Sequence, residues 1–327
     1  MGLLAQHLQV HPGLLHALVE VLAVADRPLT STQLAGYLRP DAFIRLIGAT
    51  VDGADTRDRE AVGEGDDGGD GDHPDRIVGL SLDAANWLGL LESTDAGWQL
   101  ASPVVGIDVA DLDQALPRIV RRGLFDRSWP NELAEAQKHG GDLGLALSWY
   151  LAQDSWNPPR RYEKVDDSIE SRQSSQFTEN PEYINLTKWR SVRRWLQYLG
   201  LGVPDPIDAD MIVPDPTNAV RDELADSQDA EWAIVELVSV LAKRCGALDT
   251  GTVRTLAMAG LKAAELRWEH DPHLLSPSLS LALLRLEGAG RIELLREADA
   301  AAAGRVTLTV PGETRVIDRV RKVGHWN

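Results

Sequence analysis

Cysteine is almost absent from this sequence, because its 327 residues include only Cys245. A single cysteine excludes an internal disulfide and any zinc site built from several thiolates. The chain also has no run of about 18 apolar residues, the length that a membrane-spanning helix requires. Residues 1–10 lack the basic and apolar pattern of an export signal. Together, these absences favour a cytoplasmic protein that has no membrane partner.

Motifs that mark common catalytic sites are missing as well. The sequence contains no Gly-rich phosphate loop ending in Lys-Ser or Lys-Thr, no Gly-x-Gly-x-x-Gly after a predicted strand and no Gly-x-Ser-x-Gly. Asp205 and Asp215 each follow a proline, an arrangement comparable to that of the first acid of a metal-dependent nuclease. No Glu-x-Lys stands at a useful spacing after either of them, so both are predicted to shape turns.

His270 and His273 lie close to Glu265 and Glu269, which invites comparison with a metal site. Pro272 interrupts any helix between the two histidines, so a boundary between a helix and a loop is the better interpretation. We therefore expect no enzyme activity, no cofactor and no bound metal.

Positive charge is scarce, since 33 basic residues face 50 acidic ones and the net charge is −17. Such a balance argues at first against nucleic acid, because phosphate binding is mainly electrostatic. The excess of acidic residues is, however, unevenly distributed along the chain. Residues 52–75 hold ten acids against Arg57 and Arg59, a net charge of −8. This Gly-rich stretch has too few apolar residues to offset the entropy of ordering, so it is predicted to be a disordered loop.

The sequence does contain a small pattern that recurs along the chain. Residues 12–25 carry apolar side chains at helical spacing, and Thr30 with Gln33 forms a capping box that begins a second short helix. A third helix is predicted at residues 78–91, and residues 92–100 have the signature of two strands joined by a turn. Three helices and a hairpin are the parts of a winged helix.

Two later segments repeat this order. The last copy has helices predicted at residues 230–244, within 250–268 and at 277–286, hairpin strands at 290–295 and 304–310, and a closing helix at 314–323. The middle copy has helices at residues 143–151 and 185–199, strands at 200–203 and 211–213, and a closing helix at 216–224. The middle copy is looser, and whether it is a true winged helix stays open.

These patterns predict a fold that is mainly α with small β-hairpin wings, an α+β class built of tandem winged-helix modules. The predicted domains are an N-terminal winged helix at residues 1–107, a central basic domain at 108–227 and a C-terminal winged helix at 228–327.

The helix predicted at residues 185–199 separates apolar and basic side chains most clearly. Its buried side is predicted to hold Leu186, Trp189, Val192, Leu196 and Leu199. Arg190, Arg193, Arg194 and Gln197 fall on the opposite side. The segment 188–194, which also contains Lys188, has no acidic residue. Arginine pairs bidentately with guanine and glutamine with adenine, so this face suits the major groove. Upstream, Arg160, Arg161 and Lys164 lie in a turn-rich loop that suits backbone phosphates.

Two other interpretations of these basic residues stay open. An arginine-rich face is often solvated surface or a contact for acidic protein groups, and acids are plentiful between residues 166 and 182. The equivalent helices of the outer copies are poorly suited to binding phosphate. Residues 81–91 include Asp83 and no basic residue, and Arg285 is the one basic residue of 277–286. The outer copies are therefore predicted to contact proteins. Arg118, Arg121 and Arg122 are predicted to form a second small basic patch.

The segment 185–202, Asn-Leu-Thr-Lys-Trp-Arg-Ser-Val-Arg-Arg-Trp-Leu-Gln-Tyr-Leu-Gly-Leu-Gly, followed by Val-Pro-Asp-Pro-Thr at 213–217, resembles the protein DpdG family. The family belongs to bacterial gene clusters that place 7-deazaguanine bases in DNA and restrict unmodified DNA. The resemblance covers residues 185–224 and implies a role in phage defence, beside an ATPase or helicase and a nuclease on other chains. It carries over no catalytic residue.

The leading hypothesis is a non-catalytic DNA-binding adaptor of a multiprotein DNA-modification and restriction system. DNA and the other protein components of a defence complex would be its partners. One alternative is a scaffold of winged helices that binds only protein. Another is a transcriptional regulator, which would require a symmetric dimer and a defined operator.

Overall fold

The computed structural model describes residues 10–38, 74–138, 141–159, 168–208, 211–297, 304–324 and 326. Helix accounts for 49% and small antiparallel sheets for 15%, which confirms the α+β class and its excess of helix. The predicted acidic loop lies outside the described residues except for its last two positions. Among the described helices, each is too short or too polar to cross a membrane. The chain divides into two compact units, which contain residues Gln9–Leu116 and Pro117–Asn327.

The described residues of the first unit include the helices α1 (Pro12–Ala25), α2 (Ser31–Tyr37) and α3 (Pro74–Trp87) and a hairpin of β1 (Leu91–Thr94) and β2 (Gly97–Leu100). Helix α2 begins at the predicted capping box, because Gln33 N donates to Thr30 Oγ1 at 3.2 Å and Thr30 N donates to Gln33 Oε1 at 2.9 Å. Between α1 and α2, Leu29 forms an antiparallel bridge with Trp98 of β2. The chain segment between the first two helices is thus tied to the hairpin.

The central part of the second unit has a core helix that is buried on every side. Its elements are α4 (Leu112–Phe125, which crosses the division between the units), α5 (Leu133–Lys138), α6 (Asp142–Leu151), α7 (Ile169–Gln176), α8 (Leu186–Tyr198), β3 (Gly202–Pro204), β4 (Ile212–Pro214) and α9 (Thr217–Asp226). All ten residues of α6 are buried. Tyr150 of α6 donates its hydroxyl to Ile212 O at 2.7 Å, and its ring lies 5.2 Å from that of Trp189 on α8. Helix α6 therefore holds both α8 and the β3–β4 hairpin.

The C-terminal part of this unit differs from prediction in its strand pairing. Its elements are β5 (Glu231–Ala233), α10 (Ile234–Arg244), α11 (Thr252–Ala257), α12 (Pro277–Gly288), β6 (Ile292–Leu295), β7 (Val306–Val310), β8 (Glu313–Ile317) and β9 (Arg319–Lys322). The two predicted strands exist, but they do not pair with each other. Strand β7 pairs with β8, while β6 pairs with β9, which also pairs with β5.

The closing helix predicted at residues 314–323 is wrong, because β8 and β9 occupy this segment. Val316 and Val320 are four residues apart, which resembles helical spacing. The deciding signal is Pro311-Gly312, where Gly312 has a φ of 71° and turns the chain back from β7 into β8.

The three helices that lie directly before the strands β1, β3 and β6 end in the same way. In each, a glycine with positive φ donates to the carbonyl three residues back, and the next residue donates to the carbonyl five residues back. These hydrogen bonds measure 2.8–3.1 Å, and the glycines are Gly89, Gly200 and Gly290. This Schellman arrangement stops α3, α8 and α12 abruptly and redirects the chain into a strand. It also explains why α3 ends at Trp87, four residues earlier than predicted.

Gly202 allows the β3–β4 hairpin to pack closely against α8. A Cβ atom at this position would lie 2.6 Å from Ile212 Cγ2 and 3.1 Å from Leu196 Cβ. We expect Gly202→Ala to lower the free energy of unfolding by about 1–3 kcal/mol, because the added methyl overpacks this joint. Urea unfolding followed by tryptophan fluorescence measures the change. Gly288→Ala, whose Cβ would meet nothing within 4 Å, is the control, and an equal loss in both variants would contradict this account.

Candidate nucleic-acid interface

Helix α8 is fixed in place by its first residues and by its apolar side. Asn185 caps the helix, since its side chain accepts from Lys188 N at 3.0 Å. The predicted apolar stripe is buried at Trp189, Val192, Leu196 and Leu199; the side chain of Leu186 is outside the described residues. Trp195 is buried too. One whole side of α8 is thus committed to the core.

The remaining side of α8 carries the predicted basic residues. Arg190, Arg193 and Arg194 are half-buried, and Gln197 is exposed. Their spacing of three and four residues keeps them on neighbouring turns of the helix. Lys188 is also half-buried, and its Nζ lies 3.3 Å from Glu182 O, to which it donates. The structure therefore brings Arg190, Arg193, Arg194 and Gln197 to one face, while Lys188, two residues before Arg190 and so about 200° around the helix, does not share it.

Arg194 is held close to like charges. Burial, together with the positive charges of Arg193 and Arg190, lowers the pKa of the Arg194 guanidinium from its ordinary value. Arginine stays protonated in proteins all the same, so the repulsion persists. Within the described part of the chain, the side chain of Arg194 makes no hydrogen bond and no ion pair. A phosphate or a guanine edge placed against this face would relieve the repulsion and satisfy donors of Arg194.

The predicted second basic patch is wrong, because its arginines are neutralised inside an ion-pair cluster. Arg121 is 0% exposed and Glu223 of α9 is 2% exposed. Glu223 accepts from Arg122 Nη2 at 2.7 Å, from Arg244 Nη1 at 3.1 Å and from Arg121 Nη2 at 3.4 Å. Arg118 pairs with Asp226. These residues, Arg118, Arg121, Arg122, Asp222, Glu223, Asp226 and Arg244, are called the α4–α9 ion cluster below.

The ion cluster also supports the end of the basic helix. Arg121 Nη1 donates to the carbonyl of Leu199, the C-cap of α8, at 2.8 Å. A cation at this position complements the negative end of the helix dipole. Burial raises the pKa of the Glu223 carboxyl, but the hydrogen bond and charge of Arg122 and the charge of Arg121 outweigh it, so the pKa is lowered. Glu223 therefore stays ionised between its arginines.

The remaining residues singled out in the sequence are either outside the described residues or part of turns. Arg160, Arg161 and Lys164 lie outside the described residues. Asp205 and Asp215 shape turns as predicted: Asp205 Oδ1 accepts from Ile207 N at 2.7 Å, and Asp215 Oδ1 accepts from Thr217 N at 3.0 Å.

Arg285 of α12 forms an ion pair with Asp215, so α12 presents no unpaired arginine. Among the described residues, no group of three or more His, Cys, Asp or Glu side chains is arranged to hold a metal ion.

A family model described as DpdG-like matches residues 1–300. The chain belongs to the DpdG-like family. The resemblance seen in residues 185–224 is thereby confirmed and extends far beyond them. Neither the search of curated proteins nor the search of solved structures gives a match. Membership of the DpdG-like family suggests involvement in a multiprotein, Dpd-type DNA modification system, and it leaves open which component meets the DNA.

Proposed function

We propose that this DpdG-like chain is a non-catalytic DNA-binding adaptor in a Dpd-type system of DNA modification and restriction. The observation that carries the proposal is the outward face of α8, where Arg190, Arg193, Arg194 and Gln197 share one side of a helix. An α-helix fits the major groove of B-DNA, and these side-chain types pair with guanine and adenine edges. Lys188, with Arg160, Arg161 and Lys164, would bind phosphates and fix the register.

The proposal includes a winged-helix arrangement of the modules. The described residues between 12 and 38 and between 74 and 100 support it, because they form a helix, a bridged segment, two further helices and a hairpin, with Leu29 bridged to Trp98. The shared Schellman ends of α3, α8 and α12 give the three helix-to-strand joints the same local geometry. In such a module the helix before the hairpin is the one that enters the groove, and in the central module that helix is α8.

A protein-binding scaffold is the second candidate function for the outer modules. Asp83 is exposed on α3 and Arg285 of α12 is paired with Asp215, so these two helices offer little attraction to phosphate. Within the adaptor proposal the two roles are compatible: the central module binds DNA while the outer modules bind other proteins of the system.

The proposal is tested by measuring binding of the purified full chain to duplex DNA by fluorescence anisotropy over a series of salt concentrations. Phosphate contacts release counterions, so the logarithm of the association constant falls linearly with the logarithm of salt, by about 0.9 for each contact. We expect binding in low salt with a slope of about −3 or steeper. Absence of binding even in low salt would overturn the DNA-binding part of the proposal and leave the protein-binding scaffold as the proposed function.

A further inference from the structure

A cleft of about 640 Å³ lies in the C-terminal part of the second unit, between α10, α11 and the segment 261–275. Its volume is in the range of sites that bind small molecules or short chain segments. Val235, Val238 and Met258 form part of an apolar wall, and Val235 is 50% exposed at the opening. The residues that line the cleft include none of α8, so the DNA proposal does not use it.

Arg254 of α11 lines the cleft although its side chain is 1% exposed. Its Nε donates to Glu269 Oε1 at 3.0 Å, and its Nη2 bonds to the same oxygen. Its Nη1 is buried without a hydrogen bond, at 3.5 Å from Asp249 Oδ1. A buried donor left unsatisfied costs about 1–3 kcal/mol. An acceptor oxygen supplied by a ligand would therefore be favoured at Nη1.

Carboxylates outnumber cations on the polar wall. Asp249, Glu269 and Asp271 face one guanidinium, that of Arg254, and His270 also lines the cleft. Both oxygens of Asp249 are used by Ser276, through its backbone N at 2.7 Å and its hydroxyl at 2.6 Å. In contrast, Glu269 Oε2 and Asp271 Oδ2 accept no hydrogen bond from the described residues. The wall thus has a net negative charge and two unused acceptors.

We propose that this cleft binds a basic peptide segment of a partner protein. A lysine or arginine side chain binds Glu269 and Asp271, and a backbone carbonyl of the segment accepts from Arg254 Nη1. An aliphatic side chain packs against Val235 and Val238. The excess of carboxylates repels phosphates, which favours a peptide over nucleic acid. The proposal deepens the adaptor function, on which it rests, by assigning the chemistry of one protein partner.

The test selects ligands from a displayed library of random peptides on the immobilised full chain. The enriched peptide is then synthesised, and its Kd is measured by fluorescence anisotropy. We expect enriched peptides that combine Lys or Arg with an aliphatic residue. Asp271→Asn removes a charge-assisted contact, and Val235→Asn replaces an apolar contact by a polar side chain without adding charge, so each weakens binding about tenfold. Glu236→Gln, at an exposed acid of α10 outside the cleft, leaves the Kd unchanged.

Any of three results with peptides would overturn the proposal: no enrichment, enrichment of peptides without a cationic residue, or equal binding by wild type and both cleft variants. Binding of a single-stranded oligonucleotide that Val235→Asn weakens at least tenfold would also overturn it, in favour of a nucleic-acid site. The variant with Arg190, Arg193 and Arg194 changed to Ala serves as a separate arm and is expected to bind the peptide normally. Loss of DNA binding with retained peptide binding therefore distinguishes failure at α8 from failure at the cleft.

Discussion

Changing Arg190, Arg193 and Arg194 together to alanine is expected to weaken binding of duplex DNA by about a hundredfold or more in low salt. Each arginine lost from a base edge costs about 1–3 kcal/mol, and each lost from a phosphate reduces the salt slope by about 1. The helix itself should survive, because these side chains lie opposite the buried Trp189 and Leu196. Fluorescence anisotropy at several salt concentrations measures both effects.

A matched variant separates a local effect from the change in total charge. Arg267, Arg291 and Arg296 are exposed arginines of the C-terminal part, and their replacement by alanine removes the same charge. We expect this control to bind DNA within about twofold of the wild type, the residual effect being long-range attraction. Equal losses in the two variants would show that binding follows net charge and that α8 is not the contact surface.

Glu223→Ala is expected to cause the largest loss of stability among single substitutions in the second unit. The carboxylate is buried and accepts hydrogen bonds from Arg122, Arg244 and Arg121. Removing one partner of a buried ion cluster leaves uncompensated charge, which costs about 3–5 kcal/mol. Arg121 itself is fully buried and cannot turn to solvent without opening the joint between α4 and α9. Urea unfolding followed by tryptophan fluorescence measures the loss.

Surface ion pairs provide the comparison for this experiment. Arg221 lies on the same helix α9, with a side chain 48% exposed, and pairs with Asp222 at 3.0 Å. Exposed pairs contribute about 0–1 kcal/mol, so Arg221→Ala should change stability by no more than that. If Glu223→Ala were as mild as Arg221→Ala, the α4–α9 ion cluster would not be a structural core, and the predicted basic patch would need to be considered again.

Local signals in the sequence predict where α2 and α8 begin. The capping box of Thr30 and Gln33 and the cap Asn185 act within one helical turn, so both can be recognised from neighbouring residues. The apolar stripe of α8 is similarly local, because its period is set by the helix itself. These features are sufficient to place the basic residues of α8 on one face from the sequence alone.

Pairings between distant segments could not be predicted in this way. Strand β6 pairs with β9 and, through β9, shares a sheet with β5. The alternation of apolar and polar residues in 290–295 predicts a strand but does not indicate which strand pairs with it. Arg118, Arg121 and Arg122 have no paired acid nearby in sequence, yet α9 brings Asp222, Glu223 and Asp226 to them across about a hundred residues. The unsatisfied Nη1 of Arg254 is visible only once burial is known.

The most direct test of the central claim locates the DNA on the chain. A photoreactive benzophenone side chain is placed at the exposed position of Gln197 on α8, and separately at the exposed position of Asn86 on α3. The protein is then irradiated with labelled duplex DNA. The account predicts a covalent protein–DNA product from the Gln197 position and little from the Asn86 position. A product from Asn86 alone, or none from Gln197 while the DNA is bound, would contradict it.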